Sequence, residues 1–168
     1  MAGQNAVVLD ELDGRLIQAL ADHPRAGILE IARVLGVARN TVYARLERLR
    51  SSGVVTGFGP DVDLAVIGYD VVAFTTIEVI QGRFSDVVER LAEIPQVVEV
   101  HTIAGEGDLL CRVVAGSNRG IMEIVETILH IPGVNRTRSA VSLAHPITYR
   151  PLPLVAHAAG LGTAGETL

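Results

Sequence analysis

The chain has 168 residues, of which 49% are hydrophobic and only 4% aromatic, with a single cysteine. This length allows one ordinary domain or two small ones, with a core built from Leu, Ile, Val and Ala. One cysteine excludes an intrachain disulfide framework, and the scattered histidines lack the spacing of metal ligands. No stretch is long enough to span a membrane, and the start lacks a basic segment followed by an apolar run. We therefore expect a cytoplasmic protein with no membrane partner.

The net charge of −5 is unevenly distributed along the chain. All fourteen basic residues are arginines; residues 1–55 contain seven of them against six acids, and the remainder contains seven against thirteen. Four of these arginines fall within residues 37–50. This local positive region suits a small DNA-reading element on an acidic body, although charge alone favours a solvated helix face.

The N-terminal part has the apolar spacing of three short helices, over residues 10–22, 28–35 and 38–51. Gly36 is expected to form the tight turn between the second and third helices, and Gly53 to end the third. This arrangement is typical of a helix-turn-helix domain.

The sequence VVTGF after the third helix is predicted to form a short strand, or wing. A winged helix-turn-helix domain is therefore expected over residues 1–58, followed by a linker or hinge over 59–69.

The second part contains an internal repeat: VVERLAEIPQVVEV (87–100) resembles IVETILHIPGVNRT (124–137). A β-branched strand precedes each helix, at 71–79 and 109–115. The βαββαβ order predicts a ferredoxin-like domain over residues 70–150, and hence an α+β protein overall. Strict alternation in the second strand would place its residues on two faces, Val98, Val100 and Thr102 on one and Val97, Glu99, His101 and Ile103 on the other. The tail, residues 151–168, is expected to be loosely ordered.

The third helix is the candidate DNA-reading element because its face opposite the apolar stripe is polar. Arg can pair with guanine, Asn with adenine, and Ala can contact a thymine methyl, whereas Arg45 and Arg50 are expected to reach phosphates. A three-helix bundle that merely packs is the alternative. The candidate DNA-binding residues are Arg39, Asn40, Thr41, Tyr43, Ala44, Arg45, Arg48 and Arg50.

A glycine-rich segment, residues 104–108 (AGEGD), lies between the second and third strands. The simpler interpretation of these residues is a β-hairpin loop, because glycine readily adopts the positive φ that such turns need. Its backbone amides can also hold a carboxylate, and Asp108 can meet an ammonium group. Those are the two charged ends of an amino acid.

The run LDELDGRLIQAL…R…EIARVLGVARNTVYARLERLRSSGVVTGF, followed by Ile67-Gly68-Tyr69, resembles the Lrp/AsnC family of feast/famine regulators, over residues 9–150. The resemblance implies amino-acid binding at the glycine–aspartate loop, in a pocket shared between neighbouring dimers. The candidate effector-binding residues are Thr102, Ile103, Ala104, Gly105, Glu106, Gly107 and Asp108, with Thr137 and Ser139 from the last strand as weaker candidates. Glu106 would disfavour acidic effectors if it faced the pocket. The family usually has Ser at the start of the reading helix, where this chain has Ala38, so we expect this helix to begin without a hydroxyl cap and without a phosphate contact from that hydroxyl.

The expected function is a sequence-specific, double-stranded-DNA-binding transcriptional regulator whose assembly or DNA binding responds to a small effector, an amino acid. We expect a homodimer that assembles further, for example into an octamer of four dimers. We expect no enzymatic activity and no cofactor beyond that effector. The alternatives are an amino-acid-binding regulatory module of a metabolic enzyme, and a scaffold that oligomerises without sensing.

Overall fold

The structure is a computed structural model that describes residues 6–162. These residues form two compact units. One contains the chain up to Pro60 together with the segment from Ile147 onward, and the other contains Asp61–Pro146. No helix in residues 6–162 is long and apolar enough to cross a membrane.

The first unit contains three helices that match the sequence expectation closely: α1 (Glu11–Asp22), α2 (Ile28–Leu35) and α3 (Arg39–Ser51). Gly36, at φ 70°, makes the turn between α2 and α3. The three helices share one apolar core, and its best-buried side chains include Leu16, Ile31, Val42 and Leu49. Burial of these side chains positions α3 against α1 and α2 with its polar face outward.

The expected wing is wrong for this chain: residues 54–60 form no strand. The Val55 amide instead donates to the Leu49 carbonyl at 3.0 Å, and Val54 and Val55 pack against the helical core. A short strand needs a neighbouring strand to satisfy its backbone groups, and the first unit offers none in the described residues.

The segment after Pro151 is also better ordered than expected. Residues Leu152–Ala158 form a helix, α6, which packs against α1. Residues 163–168 of the predicted tail lie outside the described residues. The sequence expectation of a loosely ordered segment is therefore wrong for α6.

The second unit has the predicted βαββαβ order: β1 (Val71–Val79), α4 (Phe84–Ala92), β2 (Val97–Thr102), β3 (Leu109–Ala115), α5 (Asn118–Leu129) and β4 (Val134–Val141). The sheet order is β2-β3-β1-β4, and every neighbouring pair is antiparallel. Alternate strand residues such as Ala73, Ile77 and Cys111 pack with Val87, Leu91 and Ile128 in a single core. This is the ferredoxin-like arrangement.

Strict alternation along β2 is broken by a register shift between Val97 and Glu99. Val97 pairs with Val113 and Val100 with Cys111, so both valines lie over the core, although the alternation predicts opposite faces. A β-bulge adds one residue to a strand and changes which face the later side chains take. The alternation of residues along β2 did not predict this register shift.

Candidate DNA-binding and effector-binding sites

The N-terminal half of α3 is exposed to solvent. Helix α3 begins after Ala38, which has extended backbone and makes no side-chain cap. Ala38 therefore leaves the first amides of α3 without the hydroxyl partner that a serine would supply. The exposed candidates in this half are Arg39, Asn40, Thr41, Tyr43 and Ala44, with Tyr43 56% exposed. Within residues 6–162, Arg39 forms no ion pair. These side chains are available to a partner.

Two of the predicted DNA-binding arginines, Arg45 and Arg48, bind aspartates at the start of α1. Nη1 of Arg45 donates to Asp10 at 2.6 Å and to Oδ1 of Asp13 at 2.9 Å. Nη2 of Arg48 donates to the other oxygen of Asp13. The Asp13 side chain is 1% exposed, so this cluster fastens α3 to the start of α1.

The same two aspartates begin α1. The Asp13 amide donates to Asp10 at 2.9 Å, and the Asp10 amide donates to Asp13 at 3.0 Å, which forms a capping box with Asp in the third position. Each carboxylate therefore serves both a helix N-terminus and an arginine of α3. Sequence reasoning missed this role, and the D-x-x-D spacing at the start of α1 is the signal for the capping box.

The electrostatics of this cluster favour charged carboxylates. The hydrogen bond from Arg45 lowers the pKa of Asp10 below its ordinary value. Burial raises the pKa of Asp13, but hydrogen bonds from Arg48, the Asp10 amide and Arg45 outweigh it and lower that pKa overall. The hydrogen bonds to Asp10 and Asp13 raise the pKa of Arg45.

Arg50, the remaining predicted phosphate contact, lies at the C-terminal end of α3. Its guanidinium is 5.9 Å from the ring centroid of Phe58 and 3.7 Å from Glu47. Its side chain is 57% exposed. Arg50 therefore keeps more freedom to meet a phosphate than Arg45, which is 28% exposed.

The loop at residues 104–108 is the β2–β3 hairpin connection, as its residues predict. The Ile103 amide donates to the Asp108 carbonyl at 3.0 Å, and the Asp108 amide donates to the Ile77 carbonyl at 2.9 Å. Gly105 and Gly107 have φ of 121° and 90°, which favours glycine at both positions. A Cβ at Gly107 would collide with the methyl group of Thr76, so the loop lies directly against β1.

Asp108 has a structural partner in this loop. Its Oδ2 accepts a hydrogen bond of 2.7 Å from the Val79 amide at the end of β1. Its Oδ1 accepts no hydrogen bond from residues 6–162, and the residue is exposed. Within the described residues, the amides of residues 104–107 donate no hydrogen bond. A Cβ at Gly105 would meet no atom of residues 6–162 within 4 Å, so these residues leave open space beside Gly105.

The loop reaches across β1 to the last strand. Glu106 forms an ion pair with Arg138 on β4, so its negative charge is already balanced. The sequence pattern gave no sign of this pair, because it depends on the β1–β4 register, in which Thr76 lies opposite Arg138. That Glu106 disfavours acidic effectors if it faces the pocket stays a prediction.

The other candidates fall on two sides of the sheet. Thr137 lies opposite the buried Ile77, and Ser139 lies opposite the buried Thr75, to which its hydroxyl hydrogen-bonds at 2.9 Å. Both side chains therefore project toward the helices, on the face opposite Arg138. The structure brings the loop together with Thr76 and Arg138, and it places Thr137 and Ser139 on the other face. Thr102, Ile103 and Ala104 lead into the loop, and only Ile103 among them is half-buried.

Comparisons with known proteins match both units. Residues 9–50 match an AsnC-type helix-turn-helix domain, and residues 72–152 match the Lrp/AsnC ligand binding domain. The HTH-type transcriptional regulator FL11 of Pyrococcus horikoshii is 32% identical over 137 residues, which cover 82% of this chain and 91% of the relative.

Solved structures of Lrp/AsnC proteins have a fold similar to that of this chain. AsnC from Escherichia coli has a TM-score of 0.80 at 25% identity, over 88% of this chain and all of that one. A feast or famine regulatory protein from Mycobacterium tuberculosis, complexed with L-methionine, has a TM-score of 0.73 at 29% identity, over 84% of this chain and 96% of that one. This chain belongs to the Lrp/AsnC family of helix-turn-helix transcriptional regulators.

Proposed function

We propose that the N-terminal half of α3 reads the DNA sequence, and that Arg45 and Arg48 position this helix rather than contact bases. The observation that carries the proposal is the different pairing of the arginines on α3. Asp13 holds Arg45 and Arg48, while Arg39 has no ion-pair partner in residues 6–162 and stands beside the exposed Asn40. Arg and Asn are the side chains that make bidentate contacts with guanine and adenine in the major groove. Arg50 adds a phosphate contact.

The regulator acts as a homodimer through the sheet face that the helices leave open. Two apolar side chains of the strands are exposed to solvent: Phe74 is 43% exposed and Val98 is 42% exposed. Arg112 on β3 lies opposite Phe74 on β1 and opposite Glu99 on β2, and its buried Nε has no hydrogen-bond partner in the described residues. Packing of this face against a second copy buries the apolar side chains and supplies an acceptor for Arg112. Two reading helices then face two half-sites. The dimers assemble further, for example into an octamer of four dimers.

The effector is an amino acid bound at the loop of residues 104–108. The unpaired amides of residues 104–107 suit its carboxylate, and the free oxygen of Asp108 suits its ammonium group. The L-methionine complex of the mycobacterial relative supports this ligand class. Binding changes DNA affinity only to the extent that the ligand prefers one arrangement of the protein over another. The protein is a cytoplasmic regulator and not an enzyme.

The test is the binding of the purified full chain to the DNA upstream of its own gene, at several salt concentrations and against excess random DNA. We expect preference for the specific DNA and an affinity that falls as salt rises, by a slope of about 0.9 per phosphate neutralised. Sedimentation of the same sample reports the assembly in multiples of 17.8 kDa. Equal affinity for specific and random DNA at every salt concentration would favour the metabolic-module alternative.

A further inference from the structure

The C-terminal helix fits α1 at a position where only glycine is possible. Gly14 is buried in α1, and a Cβ at this position would lie 2.6 Å from Cβ of Ala159 and 2.8 Å from Cδ1 of Leu161. Both distances are shorter than real Cβ contacts, so any larger residue at position 14 has to displace the C-terminal segment. The close approach of α6 to α1 therefore depends on the missing side chain of Gly14.

The end of α6 is shaped by its own sequence to make this contact. Gly160 has φ of 71°, and its amide donates to the His157 carbonyl at 3.1 Å. The Leu161 amide donates to the Ala156 carbonyl at 2.9 Å. This is the Schellman motif, which ends a helix and turns the next apolar residue back onto it. The motif brings Leu161 against α1.

The contact is apolar and reaches α2 as well. Leu161 lines one cavity with Gly14 and Gln18 of α1 and a second with Ala19 of α1 and Val34 of α2. Ala159 is 6% exposed, whereas Leu154, on another side of α6, is 70% exposed. The C-terminal segment thus has a buried side directed at the α1–α2 junction and a solvated side.

Glycine at position 14 has a cost that the contact offsets. In a helix interior glycine is less favourable than alanine because it loses more backbone entropy on folding. The α6 contact is the feature of the described structure that requires glycine at this point. The contacting residues Ala159 and Leu161 lie beyond both family matches, which end at residues 50 and 152.

The chain therefore connects the two units twice. It leaves the first unit at Pro60 and returns to it at Ile147. The first connection is the expected hinge, and the second is fixed at its far end by α6.

We propose that residues 152–161 are a docking segment that binds the Gly14 side of α1 and gives the DNA-reading unit a second attachment to the effector-binding unit. A change in the effector-binding unit then acts on α1 through both connections. This coupling between the effector-binding unit and α1 rests on the proposed function, whereas the docking of residues 152–161 does not.

The docking is tested by the sign of one substitution, Gly14→Ala, in three backgrounds of the full chain. Gly14→Ala lowers the thermal midpoint of the wild type, because the new Cβ displaces Ala159. Ala159→Glu, which forces a charge into the contact, releases the segment. In that background Gly14→Ala raises the midpoint, because alanine is the better helix former. Leu154→Glu is the matched control, since it adds the same charge at an exposed position of α6, and there Gly14→Ala is again destabilising. The same sign in all three backgrounds overturns the docking.

The coupling is tested on DNA with the same variants. In the wild type an amino-acid effector is expected to change the dissociation constant for DNA by about 5-fold or more. In Ala159→Glu that change is largely lost, while Leu154→Glu keeps it. An unchanged response in Ala159→Glu overturns the coupling even where the docking is supported. Absence of a response in the wild type counts against the proposed effector function, and the thermal test of docking stands independently.

Discussion

Asp13 on α1 and Arg48 on α3 form an ion pair in which the Asp13 side chain is 1% exposed and the Arg48 side chain is 45% exposed. The same carboxylate accepts a hydrogen bond from Arg45 and one from the Asp10 amide. One acidic side chain thus fixes the start of α1 and the orientation of α3. Helix α3 is held at its middle by Arg45 and Arg48, while its N-terminal half is exposed.

Asp13→Ala should destabilise the first unit by about 3–5 kcal/mol, because it leaves two arginines without their buried partner. The measurement is chemical unfolding followed by circular dichroism. Glu11→Ala is the control, since Glu11 is an exposed acid in the same helical turn. A similar small effect for both variants would show that the buried pair does not hold α3.

The stability of the first unit should fall in acid. Asp10 and Asp13 have lowered pKa values in the folded state, so their contribution is fully present above the ordinary carboxyl pKa of about 3.9 and is lost as pH falls through the lowered values. Thermal midpoints of the wild type and Asp13→Asn, measured from pH 7 down to pH 2, should converge at the acidic end. If the difference between the two thermal midpoints stays constant down to pH 2, the charge of Asp13 does not stabilise the first unit.

Arg39→Ala and Arg45→Ala should separate DNA reading from helix positioning. Arg39→Ala should weaken specific DNA binding by about 1–3 kcal/mol, roughly 5- to 150-fold, and leave the thermal midpoint unchanged. Arg45→Ala should lower the midpoint because it removes a partner of Asp10 and Asp13. Fluorescence anisotropy with labelled DNA and thermal unfolding measure the two effects. If Arg39→Ala binds DNA like the wild type, the exposed half of α3 is not the reading surface.

Asp108→Asn and Asp108→Ala should separate effector binding from loop structure. The asparagine oxygen can still accept the hydrogen bond from the Val79 amide, whereas alanine cannot. Both variants should lose the response to an amino acid, since neither carries a charge to meet its ammonium group. Only Asp108→Ala should also lose stability. A full response to the amino acid in Asp108→Asn would show that the Asp108 carboxylate does not bind the effector.

Cys111 should report on unfolding of the second unit. It is fully buried in β3, and burial raises its pKa to about 11. At pH 8 the thiol should therefore resist an alkylating reagent in the folded protein and react in denaturant. Mass spectrometry of the alkylated chain gives the result. Rapid labelling of the native protein would mean that this strand opens readily.

Much of the fold could be predicted because the local pattern and the tertiary structure agree. The repeated Ile-Pro after each helix and the Val two residues later mark where β2 and β4 begin, at Val97 and Val134. β1 and β3 coincide with runs of β-branched and apolar residues. Three helices of the first unit followed from apolar spacing and from Gly36.

The remaining features depend on distant partners, which a linear pattern does not contain. Arg45 looks like a free phosphate contact until Asp13 is found 32 positions earlier in the chain. Glu106 meets Arg138 only because the hairpin loop crosses β1. The tail is rich in Ala and Gly and lacks a charge pattern, but its small residue Ala159 is what allows α6 to approach Gly14. VVTGF has strand propensity, but the described residues of the first unit contain no strand to pair with it.

The most direct test of the central account is the affinity of the full chain for its upstream DNA with and without each of a panel of amino acids, for the wild type and Asp108→Asn side by side. The account predicts specific binding by both proteins, with an affinity that one amino acid changes in the wild type only. Equal effects of that amino acid on both proteins, or no effect of any amino acid on the wild type, would contradict it.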